Sequence, residues 1–233
     1  MLLVVVLSEV LTRASGLVGH GTTSGTSKRR QRTKKSTTVD KYIMLNLTEE
    51  VEKYIVNYIG EGLVDYSLKG KKVADQSPTV TASAGKLTYG DGCNKLSYIP
   101  GCNNVYIFYM NHGISTPFNI SINITLPFRD LRNDTLPADI NGAGYVYWNP
   151  DNINMSLRYT RNYTEGICNF SVEVTFTGLF AYEVTTVRGD KPKKGVCGIG
   201  KVAYINPLLD QYDDNVLKYN VTGVLAQTRT SRQ

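Results

Sequence analysis

The stretch Asn119-Ile-Ser-Ile-Asn-Ile-Thr-Leu126 alternates strictly between polar and apolar residues. Successive side chains of a β-strand point to opposite faces, so the four apolar residues share one face and the four polar residues share the other. This alternation predicts a strand with one buried face. The polar face carries two Asn-X-Ser/Thr sequons, at Asn119 and Asn123, whose acceptor side chains would face solvent as an N-linked glycan requires.

Sequons are more frequent than chance predicts. The chain has 18 Asn, and 37 of its 233 residues are Ser or Thr, so about three sequons would arise by chance. Asn154, Asn169 and Asn220 repeat the register seen at Asn119, with the acceptor Asn opposite the apolar face. The sequons predict a secreted, extracellular glycoprotein, and their acceptors are Asn46, Asn119, Asn123, Asn133, Asn154, Asn162, Asn169 and Asn220.

Strand patterns continue on both sides of this stretch. Short apolar or alternating runs recur about every ten residues between Gly, Pro, Asn and Asp clusters, which is typical of an antiparallel β-sandwich or barrel-like domain. The run Val105-Tyr-Ile-Phe-Tyr-Met110 is apolar on both faces and predicts a central strand. The candidate strands are 95–99, 104–111, 118–126, 144–148, 154–161, 168–177, 179–187, 201–205 and 216–226.

An amphipathic helix is predicted before the strands, within residues 46–69. Asn46 and Glu49 form a capping-box pattern. An apolar stripe at helical spacing follows, and Gly60 and Gly62 should end the helix. Residues 63–68 form either a second short helix or a strand. The fold class is therefore mainly β (α+β), with an N-terminal amphipathic helix.

Three segments are expected along the chain. Residues 1–16 are a candidate signal peptide, with the apolar run 2–7 and the small residues 14–16 as a cleavage site, although an ordinary apolar N-terminus is the alternative. Residues 17–40 are rich in Gly, Ser and Thr and are expected to be disordered. Residues 41–227 form a single β-rich glycosylated domain.

The positive charge is concentrated before that domain. The net charge is +6, of which residues 1–40 carry +5. The nearly neutral remainder gives no basic face for nucleic acid. The basic run 28–35 fits proteolytic processing after Arg32, binding to polyanions such as heparan sulfate, or a solvated tail. No other apolar run is long enough to span a bilayer.

Four cysteines, Cys93, Cys102, Cys168 and Cys197, suit two disulfides in an oxidising compartment. Four cysteines allow three connectivities. The pairs Cys93–Cys102 and Cys168–Cys197 are favoured because each is local and surrounds a turn-rich stretch. Their spacing does not match a zinc site, and no metal or other cofactor is expected.

Catalytic patterns are few, and we expect no enzyme activity. His112 is the only histidine outside the N-terminal tail, and no G-x-S-x-G motif supplies a nucleophile. The cluster Asp210, Asp213 and Asp214 has the spacing of a calcium site but lacks the full loop motif, which favours a solvated acidic loop. Gly195-Val-Cys-Gly-Ile-Gly200 departs from the dinucleotide motif and is interpreted as a disulfide-stapled turn before a strand.

One short motif suggests a receptor. Arg188, Gly189 and Asp190 form an integrin-type tripeptide in a predicted loop. Integrin binding would need the Arg and Asp side chains splayed at the loop apex. Chance occurrence of three common residues is the alternative interpretation.

Two further stretches suggest a family. Tyr89-Gly-Asp-Gly-Cys-Asn-Lys-Leu96 and Ala138-Asp-Ile-Asn-Gly-Ala-Gly-Tyr-Val-Tyr-Trp-Asn149, within a Tyr-rich glycosylated chain, resemble secreted salivary glycoproteins of ticks, specifically the 36-kilodalton immunosuppressant family. The resemblance implies suppression of host lymphocyte responses. It implies no functional residues.

The predicted function is therefore that of a secreted glycoprotein that binds a host protein or cell-surface receptor and modulates immune responses. The contact surface should be an unglycosylated edge, the loops or an exposed Tyr cluster. The alternatives are a viral or structural glycoprotein ectodomain, and a lipocalin-like barrel that carries a small ligand.

Overall fold

The computed structural model of the protein describes residues 42–127, 135–150, 160–185 and 192–232. These residues belong to the compact unit Val39–Gln233. The candidate signal peptide, the basic run 28–35 and the Arg188-Gly-Asp tripeptide lie outside the described residues, as does nearly all of the candidate strand 154–161.

The described residues contain one α-helix and thirteen strands. The helix α1 is Leu47–Tyr54. The strands are β1 Ile43–Asn46, β2 Gly62–Ser67, β3 Thr81–Ala84, β4 Thr88–Tyr89, β5 Asn103–Ser115, β6 Ser121–Thr125, β7 Thr135–Asp139, β8 Tyr145–Trp148, β9 Thr160–Thr177, β10 Leu179–Thr185, β11 Lys193–Gly198, β12 Leu209–Asp213 and β13 Val216–Arg232.

The helix α1 begins where its capping residues predict. The Thr48 backbone N–H donates to Asn46 Oδ1 at 3.1 Å, and Asn46 Nδ2 donates to Glu49 Oε1 at 2.8 Å. A π-helical turn, Ile55–Ile59, extends α1 as far as Gly60. The predicted helix is confirmed up to Gly60, and of the two alternatives for residues 63–68 the structure shows the strand, β2.

Three long strands form the centre of the main sheet. Its order is β1-β5-β13-β9-β3, with β12 also paired to β13, β4 to β9 and β8 to β5. Pairing is antiparallel except between β1 and β5. Strands β9 and β13 pair over their whole length, from Thr177 opposite Val216 to Thr160 opposite Arg232.

Two smaller sheets pack beside the main sheet. The strands β6 and β7 form a hairpin, and β11, β10 and β2 form a three-stranded sheet. In the hairpin Ile122 and Ile124 are buried, whereas Asn123 and Thr125 are exposed, which confirms the alternation of the opening stretch. Phe118, just before the hairpin, packs on Phe176 of β9 with ring centroids 6.1 Å apart. The predicted fold class, mainly β with antiparallel sheets and an N-terminal helix, is confirmed.

Two candidate strands are wrong. Residues 95–99 begin in a 3₁₀ turn, Cys93–Lys95, and continue without regular structure. The turn is entered through Gly92 at φ 92° and closed by the hydrogen bond from Lys95 N to Gly92 O at 3.0 Å. Residues 201–205 lie mostly in a second 3₁₀ helix, Ile199–Tyr204. There the Gly200 N–H donates to the Asp214 carbonyl at 3.1 Å, a long-range contact that the local sequence pattern does not predict.

The favoured disulfide pairing is also wrong. Cys93 is bonded to Cys168, with Cα atoms 5.1 Å apart across 75 residues of sequence. The pairing of β4 with β9, Thr88 opposite Ser171, brings the following turn to Cys168. Among the described residues, Cys102 and Cys197 are free thiols. Cys197 lies on β11 opposite Phe180 of β10, in a different sheet from Cys168. Residues 195–200 are therefore not a disulfide-stapled turn, but the end of β11 and the start of a 3₁₀ helix.

Candidate functional site

The long strands have one buried face and one open face. Along β9, Cys168, Phe170, Val172, Val174 and Phe176 are buried, and the residues between them point the other way and are exposed or half-buried. We call this second side the outer face of the main sheet. Residues 105–110 are apolar on both sides of β5, yet only one side is buried. The other side is part of the outer face and is apolar as well.

Aromatic side chains gather on the outer face where β8, β5, β13 and β9 lie side by side. Tyr145 is 63% exposed, Tyr147 53%, Tyr109 46% and Ile167 59%. The register aligns two cross-strand rows on this face. We call the apolar members of these rows the tyrosine face: Tyr147, Ile107, Ala226 and Ile167 in one row, and Tyr145, Tyr109 and Val224 in the other.

No member of the tyrosine face is charged. The rings of Tyr109 and Tyr145 are 6.4 Å apart between centroids and pack on each other. Elsewhere on the outer face there is an ion pair, in which Lys218 Nζ lies 3.0 Å from Glu173 Oε1. A contiguous exposed apolar surface on one side of a sheet is typical of a contact surface for another molecule, and Tyr suits it because its ring is apolar and its hydroxyl is wettable.

A shallow depression of about 430 Å³ adjoins the tyrosine face. Four aligned side chains cross it, one from each of β5, β13, β9 and β4. We call them the polar row: His112, Thr222, Ser171 and Thr88. A register shift between Thr222 and Gly223 leaves Asn111 as an extra residue of β5, and it also lines the depression. Thr88 Oγ1 lies 2.7 Å from Ser171 Oγ.

One rim of the depression is held in place by a tyrosine. The Tyr89 hydroxyl donates to the Thr125 carbonyl of β6 at 2.6 Å, and burial raises the pKa of Tyr89 above its ordinary value. Tyr89 belongs to the stretch 89–96 singled out in the sequence, which also carries the disulfide residue Cys93. In the structure this stretch therefore connects the hairpin to β9.

The sequon positions lie on the polar side of the strands wherever their side chains are described. Asn119, Asn123, Asn169 and Asn220 are exposed. Asn46 is half-buried, because its carboxamide caps α1. Asn162 lies within β9, and Asn133 and Asn154 lie outside the described residues. Asn169 lines the depression and stands opposite Val224 of the tyrosine face.

We expect the four exposed acceptors to carry glycans and Asn46 to carry less. Glycosidase treatment in heavy-oxygen water converts an occupied Asn to labelled Asp, which mass spectrometry reads at each position. High occupancy at Asn119, Asn123, Asn169 and Asn220 is the expected result, since these side chains face solvent. Unmodified Asn at all four positions in protein from a secreting eukaryotic cell would contradict the compartment prediction.

The remaining predicted site residues do not converge. Asp213 Oδ1 accepts a hydrogen bond from the Asn215 backbone at 2.6 Å, and Asp214 is paired with Lys201 at 3.3 Å. Within the described ranges, no three His, Cys, Asp or Glu side chains are arranged to hold a metal ion. Burial raises the pKa of the Cys197 thiol, so it is a poor nucleophile at neutral pH.

His112 lies in the depression, which its position in the sequence did not indicate. It lies within β5 on the floor of the depression. The tyrosine face was anticipated only in general terms, as an exposed Tyr cluster. Its sequence signal was the alternation in residues 144–148, where Tyr145 and Tyr147 fall on one side.

The helix in the described part of the chain is too short to cross a bilayer. No family model and no curated protein matches the chain.

Solved structures similar to it include the following three. The Cry23Aa1 and Cry37Aa1 binary protein complex has a TM-score of 0.46 at 13% identity, covering 79% of this chain and 85% of that chain. A non-toxic crystal protein from Bacillus thuringiensis has a TM-score of 0.41 at 12% identity, covering 81% and 94%. The Mpp75Aa1.1 beta-pore-forming protein from Brevibacillus laterosporus has a TM-score of 0.27 at 11% identity, covering 77% and 70%. Similarity at this level supports no assignment of function.

Proposed function

We propose that the protein is an extracellular binding protein that contacts a partner protein through the tyrosine face. The observation that carries this proposal is the two-row, uncharged surface of exposed Tyr and Ile on one side of four neighbouring strands. Energetically important contacts between proteins are concentrated in Tyr, Trp and Arg residues, near the centre of an interface. The Cys93–Cys168 disulfide is compatible with an oxidising, extracellular compartment.

The chemistry of the face restricts its partner. A surface without charged residues gains nothing from an ionic partner, because burying an unpaired charge against it would be costly. The partner should therefore present an apolar or aromatic surface ringed by polar groups. The suppression of host lymphocyte responses stays an expectation of the salivary resemblance. A viral or structural ectodomain would use the same surface, and finding the protein built into particles would favour that alternative.

The proposal is tested with a photo-crosslinking amino acid in place of Tyr147. The glycosylated protein is exposed to blood plasma and leukocytes, and the adducts are identified by mass spectrometry. We expect a discrete adduct with one partner protein. The same amino acid in place of Tyr212, which is 73% exposed on β12 away from the tyrosine face, should give no such adduct.

A double substitution measures how much the tyrosine face contributes to the binding free energy. We expect the Tyr109→Ser and Tyr145→Ser double variant to bind that partner at least roughly tenfold more weakly, the effect of losing central aromatic contacts. The matched control, Tyr204→Ser with Tyr212→Ser, removes two other exposed tyrosines outside the tyrosine face and should bind as the unmodified protein does. Equal adducts from positions 147 and 212, or adducts only between copies of this chain, would contradict the proposal.

A further inference from the structure

We propose that the depression beside the tyrosine face is a binding site for a neutral sugar ring. The polar row shares no residue with the tyrosine face, although Tyr109 and Val224 border both, and the inference does not depend on the protein contact proposed above. Its ligand is identified by three features: aligned hydrogen-bonding groups across the depression, an aromatic ring one row away on the same face, and a glycan acceptor within the lining.

The polar row presents hydrogen-bonding groups at regular intervals. His112, Thr222, Ser171 and Thr88 occupy four adjacent strands at matching register positions. Adjacent strands are about 4.8 Å apart, so the row spans roughly 15 Å. The volume of about 430 Å³ is within the range of small-molecule sites.

The chemistry of the row matches hydroxyl groups. A Ser or Thr hydroxyl both donates and accepts, and so do a neutral imidazole and the Asn111 amide. Sugar hydroxyls also do both. In the described part of the chain no Asp, Glu, Lys or Arg lines the depression. A phosphate, sulfate or carboxylate ligand would call for Arg or Lys, so the lining favours an uncharged, polyhydroxylated ligand.

An aromatic ring completes the match. Tyr109 and Val224 stand on the outer face one row beyond His112 and Thr222, about 7 Å along the strands. Tyr89 pairs with the buried Phe170 and its ring packs against the core, so it supports the depression from the inner side. A pyranose ring has one face of C–H groups, which packs on the Tyr109 ring while its hydroxyls reach the polar row.

A covalently attached sugar is the nearest source of such a ligand. Asn169 lines the depression, so a glycan on its Nδ2 begins at the edge of the site. The same chemistry recognises a glycan on another molecule when Asn169 is unmodified. The glycan attached to Asn169 and a glycan on another molecule therefore compete for one site. Removing the glycan from Asn169 distinguishes the two sources.

The variants must avoid the glycosylation signals. Ser171 and Thr222 are the third residues of the sequons at Asn169 and Asn220, so changing them would also remove glycans. Thr88 and His112 belong to no sequon and are the residues to change. Thr175, on the outer face of β9 and outside the lining, supplies the control Thr175→Val.

The experiment is saturation-transfer NMR on an Asn169→Gln variant that keeps its disulfide and its other glycans. The probes are N-acetylglucosamine, mannose and galactose at millimolar concentrations, with inorganic phosphate as a charged control in a phosphorus NMR titration. We expect transfer to at least one sugar and no phosphate binding. His112→Leu and Thr88→Val should each weaken sugar binding by about threefold to tenfold, the range for one neutral hydrogen bond, whereas His112→Gln and Thr175→Val should retain it.

The glycosylated wild type identifies the source. Weaker transfer than in Asn169→Gln supports a site filled by the chain's own glycan, and equal transfer supports a site open to glycans of other molecules. No transfer to any of the three sugars in Asn169→Gln would overturn the proposal, as would transfer unchanged by both His112→Leu and Thr88→Val in variants with unchanged melting temperature. The Tyr147 crosslinking result is independent of either outcome, so the two proposals fail separately.

Discussion

Replacing Cys93 and Cys168 together by alanine should lower the free energy of unfolding by about 4.5 kcal/mol, the chain-entropy value for a cross-link spanning 75 residues. Both cysteines are buried and join the turn after β4 to the centre of β9. Typical domains are stable by only about 5–15 kcal/mol, so the loss is a large fraction of the total. Urea denaturation of the double variant and the wild type measures it.

The free cysteines supply matched controls. Cys102→Ala and Cys197→Ala remove half-buried thiols that form no disulfide, and each should cost no more than about 1 kcal/mol. A reducing agent should destabilise the wild type and leave the Cys93→Ala and Cys168→Ala double variant unchanged. If Cys102→Ala were as destabilising as Cys93→Ala while Cys168→Ala had little effect, the Cys93–Cys168 pairing would be wrong.

The second large effect is expected from the core side of β5. Phe108 is fully buried, and its ring packs edge-on against Phe170 with centroids 5.5 Å apart. Phe108→Ala should destabilise the protein by about 3–5 kcal/mol, because the removed ring leaves a cavity that the surrounding strands cannot fill. Thermal and urea unfolding both report this loss.

The neighbouring residue gives the control within the same strand. Tyr109 points to the outer face, so Tyr109→Ala should cost about 1 kcal/mol or less while still removing part of the tyrosine face. The pair separates stability from binding, since one variant unfolds early and the other stays folded and binds poorly. Equal destabilisation by the two substitutions would mean that the faces of β5 are assigned wrongly.

The local patterns predicted much of the chain. The alternation in β6, β9 and β13 and the capping pattern at Asn46 each depend on residues within a few positions of one another, and all are confirmed. Residues 201–205 are a short apolar run that also predicted a strand, yet they lie mostly in a 3₁₀ helix. There the backbone contact with Asp214 outweighs the strand preference.

The candidate site was less predictable than the fold. The sequence showed that the chain is rich in Tyr. It did not show that one side of β5 and β8 is exposed. Val105-Tyr-Ile-Phe-Tyr-Met110 suits a strand buried on both sides equally well, because an apolar residue in a sequence does not show whether another layer covers it. His112 gained its neighbours through pairing of β5 with β13, which joins residues more than a hundred positions apart.

The sequence by itself determined the strand periodicity, the helix start and the polar register of Asn119, Asn123, Asn169 and Asn220, because side-chain direction in a strand repeats every two residues. Only the tertiary structure decided that Cys93 meets Cys168, that Thr88 and Ser171 extend one row to His112, and that Tyr109, Tyr145 and Tyr147 are exposed. Those outcomes depend on the register between strands far apart in sequence, which is set by the packing of the whole core and not by any local pattern.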